Sequence, residues 1–280
     1  MTDRTKGQIA EMTVLIAGAS SGLGLHTARQ LSKAGFTVIA GARSFREHEG
    51  EDGGMYRLGL DVRDSASVER FVRLAVERFG TPDALICAQG LLNLNAAEEY
   101  TDQELNDILD TNFIGSVRLI RQVMPLFREK KQGKIILFSS INGILGIPFQ
   151  GGYTASKHAI EGYAECLRME AEPFGVTVCL VTPGDHRSGQ KQYRRHGASE
   201  RPESPYHQRF LRAVSQVEHD ESTGSDPDIL GKRIARALRK RRLPERLLIA
   251  KPDQRLAVLL HKLLPIRLFS RIISGYYGQR

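Results

Sequence analysis

Three residues draw attention for the chemistry their spacing allows. Tyr153 and Lys157 lie four apart in an amphipathic stretch, so a helix would place them on one face. Ser140 lies thirteen residues before the tyrosine, at the end of an apolar, β-rich run. A phenol with a pKa near ~10 is a poor base at neutral pH. A lysine ammonium held close by favours the phenolate and lowers that value. A serine hydroxyl can then hydrogen-bond a carbonyl or alcohol oxygen while the tyrosine moves the proton. Taken alone, a Tyr-x-x-x-Lys pair also arises by chance on many helices, so its weight depends on what surrounds it.

A second set of residues fits a nucleotide. The run Gly18-Ala19-Ser20-Ser21-Gly22-Leu23-Gly24 stands between a strand pattern and a helix pattern. Glycines there let backbone approach a phosphate, and the helix N-terminus supplies unpaired N–H groups and the positive end of its dipole. Tight turns need glycine anyway, and the strand-to-helix position is what favours the nucleotide. At the end of the next strand, an acidic residue would hold the 2′-hydroxyl of NAD and repel a 2′-phosphate. This chain instead reads Ala42-Arg43-Ser44, a guanidinium fork and a hydroxyl suited to a phosphate. NADP(H) is therefore expected over NAD(H), although Arg43 also reads as an ordinary surface arginine. Asp61 and Val62 follow the third strand, where they can meet an adenine ring or simply cap a loop.

These residues need a frame. Thr13 to Ala17, Thr37 to Gly41, Tyr56 to Leu60, Ala84 to Ala88, Lys134 to Ser139 and Val176 to Thr182 read as strands. Amphipathic segments lie between them: Leu23 to Ala34, Ser65 to Phe79 with Ser65 as N-cap, Thr101 to Arg128, and Gly152 to Pro173. Alternation of this kind predicts an α/β fold, a doubly wound parallel sheet of Rossmann type. We expect a single domain over 1–280, with a cofactor-binding and catalytic core at 11–186. A polar stretch at 187–228, with only short helical patches, reads as a substrate lid. Residues 229–280 read as a helix, a short strand near Leu247 to Ala250, and an apolar, basic tail broken by Pro265.

Bulk properties narrow the function classes. The chain has 280 residues, 41% hydrophobic and 26% charged, as an ordinary globular protein does. The net charge of +8 gathers late, between Lys232 and Lys251, without interleaved aromatics, so nucleic-acid binding is not expected. Cys87, Cys166 and Cys179 show no metal-ligand spacing and read as reduced core residues. With no secretory leader and no run of about 18 apolar residues, a cytoplasmic location is expected. The tail can also close a pocket, contact a partner subunit or lie on a membrane surface.

As an ordered set these residues resemble the short-chain dehydrogenase/reductase family, from Thr13 to Ser188. The resemblance implies a cofactor loop at Gly18, Ser20, Ser21, Gly22, Leu23 and Gly24, with Asp61 at the adenine. It implies Ser140, Tyr153 and Lys157 as catalytic serine, tyrosine and lysine, the last two also touching the cofactor, and Asn112 as the helix-kinking residue that fixes a water linking Lys157 to solvent. Pro183, Gly184 and Ser188 match the segment beside the nicotinamide carboxamide. The sequence departs from the family at Ala17, at Cys87-Ala88-Gln89-Gly90, which loses side-chain bracing while Gly90 still admits cofactor, and at His186, which replaces an aliphatic residue and reads equally as a substrate-facing group or a satisfied loop histidine. The implied activity is NADP(H)-dependent interconversion of a carbonyl and an alcohol on a hydrophobic, steroid-, retinoid- or lipid-like molecule, by a homodimer or homotetramer and with no metal. A catalytically weak, nucleotide-binding sensor or scaffold is the alternative, supported by those departures.

Overall fold

In the computed structural model, which describes residues 12–279, the apolar runs become strands covered on both faces. The strands are β1 Thr13–Ala17, β2 Thr37–Ala42, β3 Gly50–Asp52, β4 Met55–Gly59, β5 Ala84–Cys87, β6 Asn93–Leu94, β7 Gly133–Phe138, β8 Val176–Pro183, β9 Arg195–His196 and β10 Arg246–Ile249. The helices are α1 Gly22–Lys33, α2 Ser65–Phe79, α3 Asp102–Leu109, α4 Gly115–Lys130, α5 Gly151–Ala171, α6 His207–Ser222, α7 Pro227–Leu238, α8 Pro252–Leu263 and α9 Ile266–Tyr276. Eight strands form one sheet in the order β10-β8-β7-β5-β1-β2-β4-β3, parallel throughout except for the β3–β4 pair. The Rossmann-type architecture expected from the sequence is the one observed.

Alternation along β1 explains the two cores. Leu15 and Ala17 face one side with Phe71 of α2, Phe127 of α4 and Leu167 of α5. Val14 and Ile16 face the other with Leu31 of α1 and with Ile234 and Leu238 of α7. Strands run outward from β1 in one direction and from β5 in the other, so the order reverses between them. The crevice at the carboxyl ends of β1 and β5 is where such sheets bind ligands. A third cluster lies beyond the sheet, joining Ile141 and Leu145 to Val217 of α6, Val258 of α8, and Phe269 and Tyr277. That cluster roofs the segment following Ser140.

Several local readings change. Asp64, not Ser65, caps α2, its carboxylate accepting from the Ala66 N–H at 3.0 Å. The helix expected from Thr101 to Arg128 is broken by a π-helical turn at Asp110–Ile114, which carries Asn112. The polar 187–228 stretch holds the sixteen-residue helix α6 rather than short patches, because Phe210, Ala213, Val214 and Val217 give it a buried face. Cys166 is exposed on α5, whereas Cys87 and Cys179 are buried. The short β3 and the parallel β6–β9 pair lack any long apolar run that would announce them.

Candidate active site

The nucleotide end is shaped by backbone crowding. Gly18 adopts φ +79, and a Cβ there would lie 2.5 Å from the Gln89 backbone nitrogen; one on Gly24 would lie 2.1 Å from the Gly18 carbonyl oxygen. Only glycine lets β1, the β5 loop and the start of α1 meet so closely. Ser20 is exposed, while Ser21, Gly22 and Leu23 are half-buried around the α1 N-terminus. Ser21 makes no side-chain cap and the first turn carries no acidic residue, leaving that positive helix end unneutralised. Arg43 and Ser44 are exposed in the turn after β2, and among the described residues Arg43 pairs with no carboxylate. One oxygen of Asp61 accepts from the Arg63 N–H at 3.0 Å, which is the loop-cap geometry. Val62 is buried, and a Cβ on Gly115 would lie 2.7 Å from one of its methyl carbons.

The chemical end gathers on β7, α5 and the turn between them. Ser140 ends the strand run and caps the short turn Ile141–Gly143, its Oγ accepting from the Asn142 N–H at 3.2 Å. Asn142 is buried and donates in turn to Gln150 Oε1 at 3.0 Å and Thr154 Oγ1 at 3.2 Å, fixing the serine against α5. Lys157 is 2% exposed, donates to the Phe138 carbonyl at 2.8 Å and holds Nζ 5.4 Å from the Tyr153 ring centroid. Burial lowers the lysine to about 8, partly offset by Cys87 and Glu161. Burial also pushes the Tyr153 phenol up to about 12, with Asp185 and Glu221 adding to the rise and the Ser140 hydroxyl opposing it. Desolvation therefore dominates the phenol in this state, and the lowering expected from the lysine does not emerge.

Asn112, wholly buried, holds three segments together. Its Nδ2 donates to the Leu91 carbonyl at 3.0 Å and to Ser156 Oγ at 2.9 Å, while its Oδ1 accepts from the Leu91 N–H at 2.6 Å. Those bonds fix the β5 loop, with Gly90, beside α5. The altered β5 motif keeps a brace of its own, since Gln89 Nε2 donates to Ser116 Oγ on α4 at 2.8 Å. On the far side, Pro183 ends β8, and a Cβ on Gly184 would lie 2.0 Å from Gln254 Oε1. Ser188 closes towards the glycine loop, its carbonyl 4.0 Å from a Cβ built on Gly22.

His186 is 3% exposed, and its Nδ1 sits 2.9 Å from the Gly184 carbonyl. A carbonyl can only accept, so Nδ1 carries the proton, and burial keeps the ring neutral by lowering its pKa. That leaves Nε2 as a buried acceptor with no protein partner. Sequence reasoning missed the acidic groups near Tyr153, because Asp185, Asp220 and Glu221 come from distant segments. Gln254 holds Asp185 through the Asp185 N–H at 3.2 Å and a second bond to the carboxylate. Burial, then Asp220 and Glu221, raise Asp185 to about 7. Arg194, with a 1% exposed side chain, pairs with Glu221.

The sequence profile of the short chain dehydrogenase family matches residues 12–198. The chain belongs to the short-chain dehydrogenase family. Within that family it is 38% identical, over 83% of its length and 86% of the relative, to a 3-ketodihydrosphingosine reductase of Bacteroides thetaiotaomicron. A solved short-chain dehydrogenase from Streptomyces avermitilis superposes with TM-score 0.78 at 27% identity, covering 97% of each chain. An actinorhodin polyketide ketoreductase variant solved with NADPH superposes with TM-score 0.68 at 26% identity, covering 85% of this chain and 95% of the other. This short-chain dehydrogenase is accordingly an oxidoreductase of the Rossmann type. Among its described residues no helix is long and apolar enough to cross a membrane, and no group of three metal-ligating side chains occurs.

Proposed function

We propose that this oxidoreductase uses NADP(H) to interconvert a ketone and an alcohol on a long apolar molecule. The observation that carries the reading is the convergence of Ser140, Tyr153 and Lys157, with the phenol held protonated. The dinucleotide fits what the residues present: glycines without room for a Cβ, a helix N-terminus free of acid, and a buried His186 acceptor suited to an amide N–H. Gly18 to Gly24 would hold its phosphates, Arg43 and Ser44 the 2′-phosphate, and Asp61 and Val62 the adenine. Gly90, Pro183, Gly184 and Ser188 would wall the nicotinamide, which supplies the hydride when bound.

In the reductive direction Ser140 hydrogen-bonds the substrate carbonyl oxygen and Tyr153 gives that oxygen its proton. Carbonyl carbon gains the hydride, so the product is the alcohol and the tyrosine is left as phenolate. The Lys157 ammonium beside the ring stabilises that phenolate. Asn112 acts as a positioning residue for the loop that carries Gly90. The likeness to a 3-ketodihydrosphingosine reductase favours a ketone on a long alkyl chain.

The test is NADPH consumption with a panel of long-chain, steroid, retinoid and quinone carbonyls. Replacing Tyr153→Phe should slow turnover by roughly 10²–10⁴-fold, the range for a lost general acid. Equal, slow rates in both proteins would support the sensor or scaffold instead. For the cofactor, Arg43→Glu should raise the KM for NADPH at least about tenfold while leaving NADH use unharmed, because a carboxylate repels the 2′-phosphate.

A further inference from the structure

The C-terminal helices leave an apolar surface that the fold does not cover. On α8, Leu256, Leu259 and Leu263 are 53%, 51% and 69% exposed and share one face by their spacing. On α9, Leu268 and Ile272 form a second such stripe, and Ile266 at the helix start is 64% exposed; Tyr276, one turn on, donates its hydroxyl to Asp220 of α6 at 2.7 Å. The adjoining, inward face of α9 is spent on the molecule itself, through Phe269 and Ile273. The end of the chain is clamped to α6, with Arg212 donating to the Gly278 carbonyl at 2.7 Å and Arg209 to the Gln279 carbonyl at 3.1 Å. The outer stripes therefore belong to a docked element, not a frayed tail.

Charge says what meets these stripes. From Gln254 to the C-terminus the sequence carries Arg255, Lys262, Arg267, Arg271 and Arg280 and not one acidic residue. On the α9 wheel Arg267 and Arg271 border one side of the exposed apolar stripe, and both are exposed. An apolar stripe edged by cations matches a lipid surface with anionic headgroups, where the apolar side chains enter the acyl boundary and the cations stay at the phosphates. A second copy is a poor match, because a two-fold contact would set this same basic patch against itself. We propose that α8 and α9 seat the protein on an anionic lipid surface.

The binding test does not depend on the substrate reading, since it measures partition and not turnover. The full chain is sedimented with vesicles of phosphatidylcholine alone and of phosphatidylcholine with phosphatidylglycerol. Binding to the anionic vesicles is expected, weakening with salt, and Arg267→Gln with Arg271→Gln should cost about 30-fold in partitioning. The chain has no tryptophan, so Leu268→Trp supplies a lone fluorophore whose emission should shift to the blue on the anionic vesicles. Circular dichroism and melting of each variant confirm that the fold survives. The proposal is overturned by absent binding, or by binding that the arginine changes leave intact with no fluorescence shift. It is equally overturned if light scattering finds an oligomer that the same changes dissociate, for then a second copy covers these helices.

Discussion

Tyr153 is governed by opposed influences whose sizes differ. Burial and the charges of Asp185 and Glu221 raise its pKa, and the Ser140 hydroxyl alone pulls it back. Asp185 is itself raised to about 7, so its charge appears within the neutral range. A carboxyl with a folded-state value above its unfolded one binds a proton in the fold that the open chain has lost. Stability therefore falls as pH rises from near 4 towards 7, and the loss is complete above the folded value. Asp185→Asn should abolish that slope and stabilise the protein at pH 8 by on the order of 2–4 kcal/mol relative to its effect near pH 4. Urea unfolding at the two pH values checks this, and a pH-independent difference would show that Asp185 titrates normally. The same variant should lower the alkaline limb of the reductase pH profile, because one charge that opposes phenolate formation is gone.

Elements were legible in the sequence wherever a buried face repeats with a regular period. β1, β2, β5, β7 and β8 are continuous apolar runs, and α1, α2 and α5 show one stripe each, so their places could be read within a residue or two. The break at Asn112 is expected only through the family resemblance, which makes that residue helix-kinking, while the amphipathic pattern reads as one span from Thr101 to Arg128. The asparagine makes that π-helical turn worthwhile by satisfying both Leu91 backbone groups and Ser156. The Ser140, Tyr153 and Lys157 set is proposed from its order among the family's motifs, not from spacing alone, whereas the Asp185 cluster depends on contacts between remote segments. Asn112→Leu should leave the half-buried N–H and carbonyl of Leu91 without their partner, costing about 1–3 kcal/mol. Because Gly90 rides on that loop, its KM for cofactor should rise more than kcat falls. An unchanged KM with lowered kcat would argue that Asn112 serves proton transfer and not position.

Across the whole molecule, the site depends on the far edge of the sheet. β10 is the last strand in the chain, yet Arg246 on it reaches Glu161 on α5 in a two-pronged ion pair and donates to Thr182 on β8 at 2.7 Å. Glu161 in turn accepts from Ser139, the neighbour of Ser140. One buried carboxylate thus ties the edge strand, α5 and the end of β7 together, and the guanidinium is what makes its burial tolerable. Removing the cation leaves that charge beside the apolar core. Arg246→Ala should cost about 2 kcal/mol, below the full penalty for a broken buried pair because Arg246 is a third exposed. For a chain of this size that corresponds to a fall in Tm of about 4–8 °C. Adding Glu161→Gln should recover part of the loss, since the stranded charge goes with it, while Glu161→Gln alone should cost less than Arg246→Ala. If the double variant is no more stable than Arg246→Ala, the arginine acts through its packing over β8 and not through the carboxylate it neutralises.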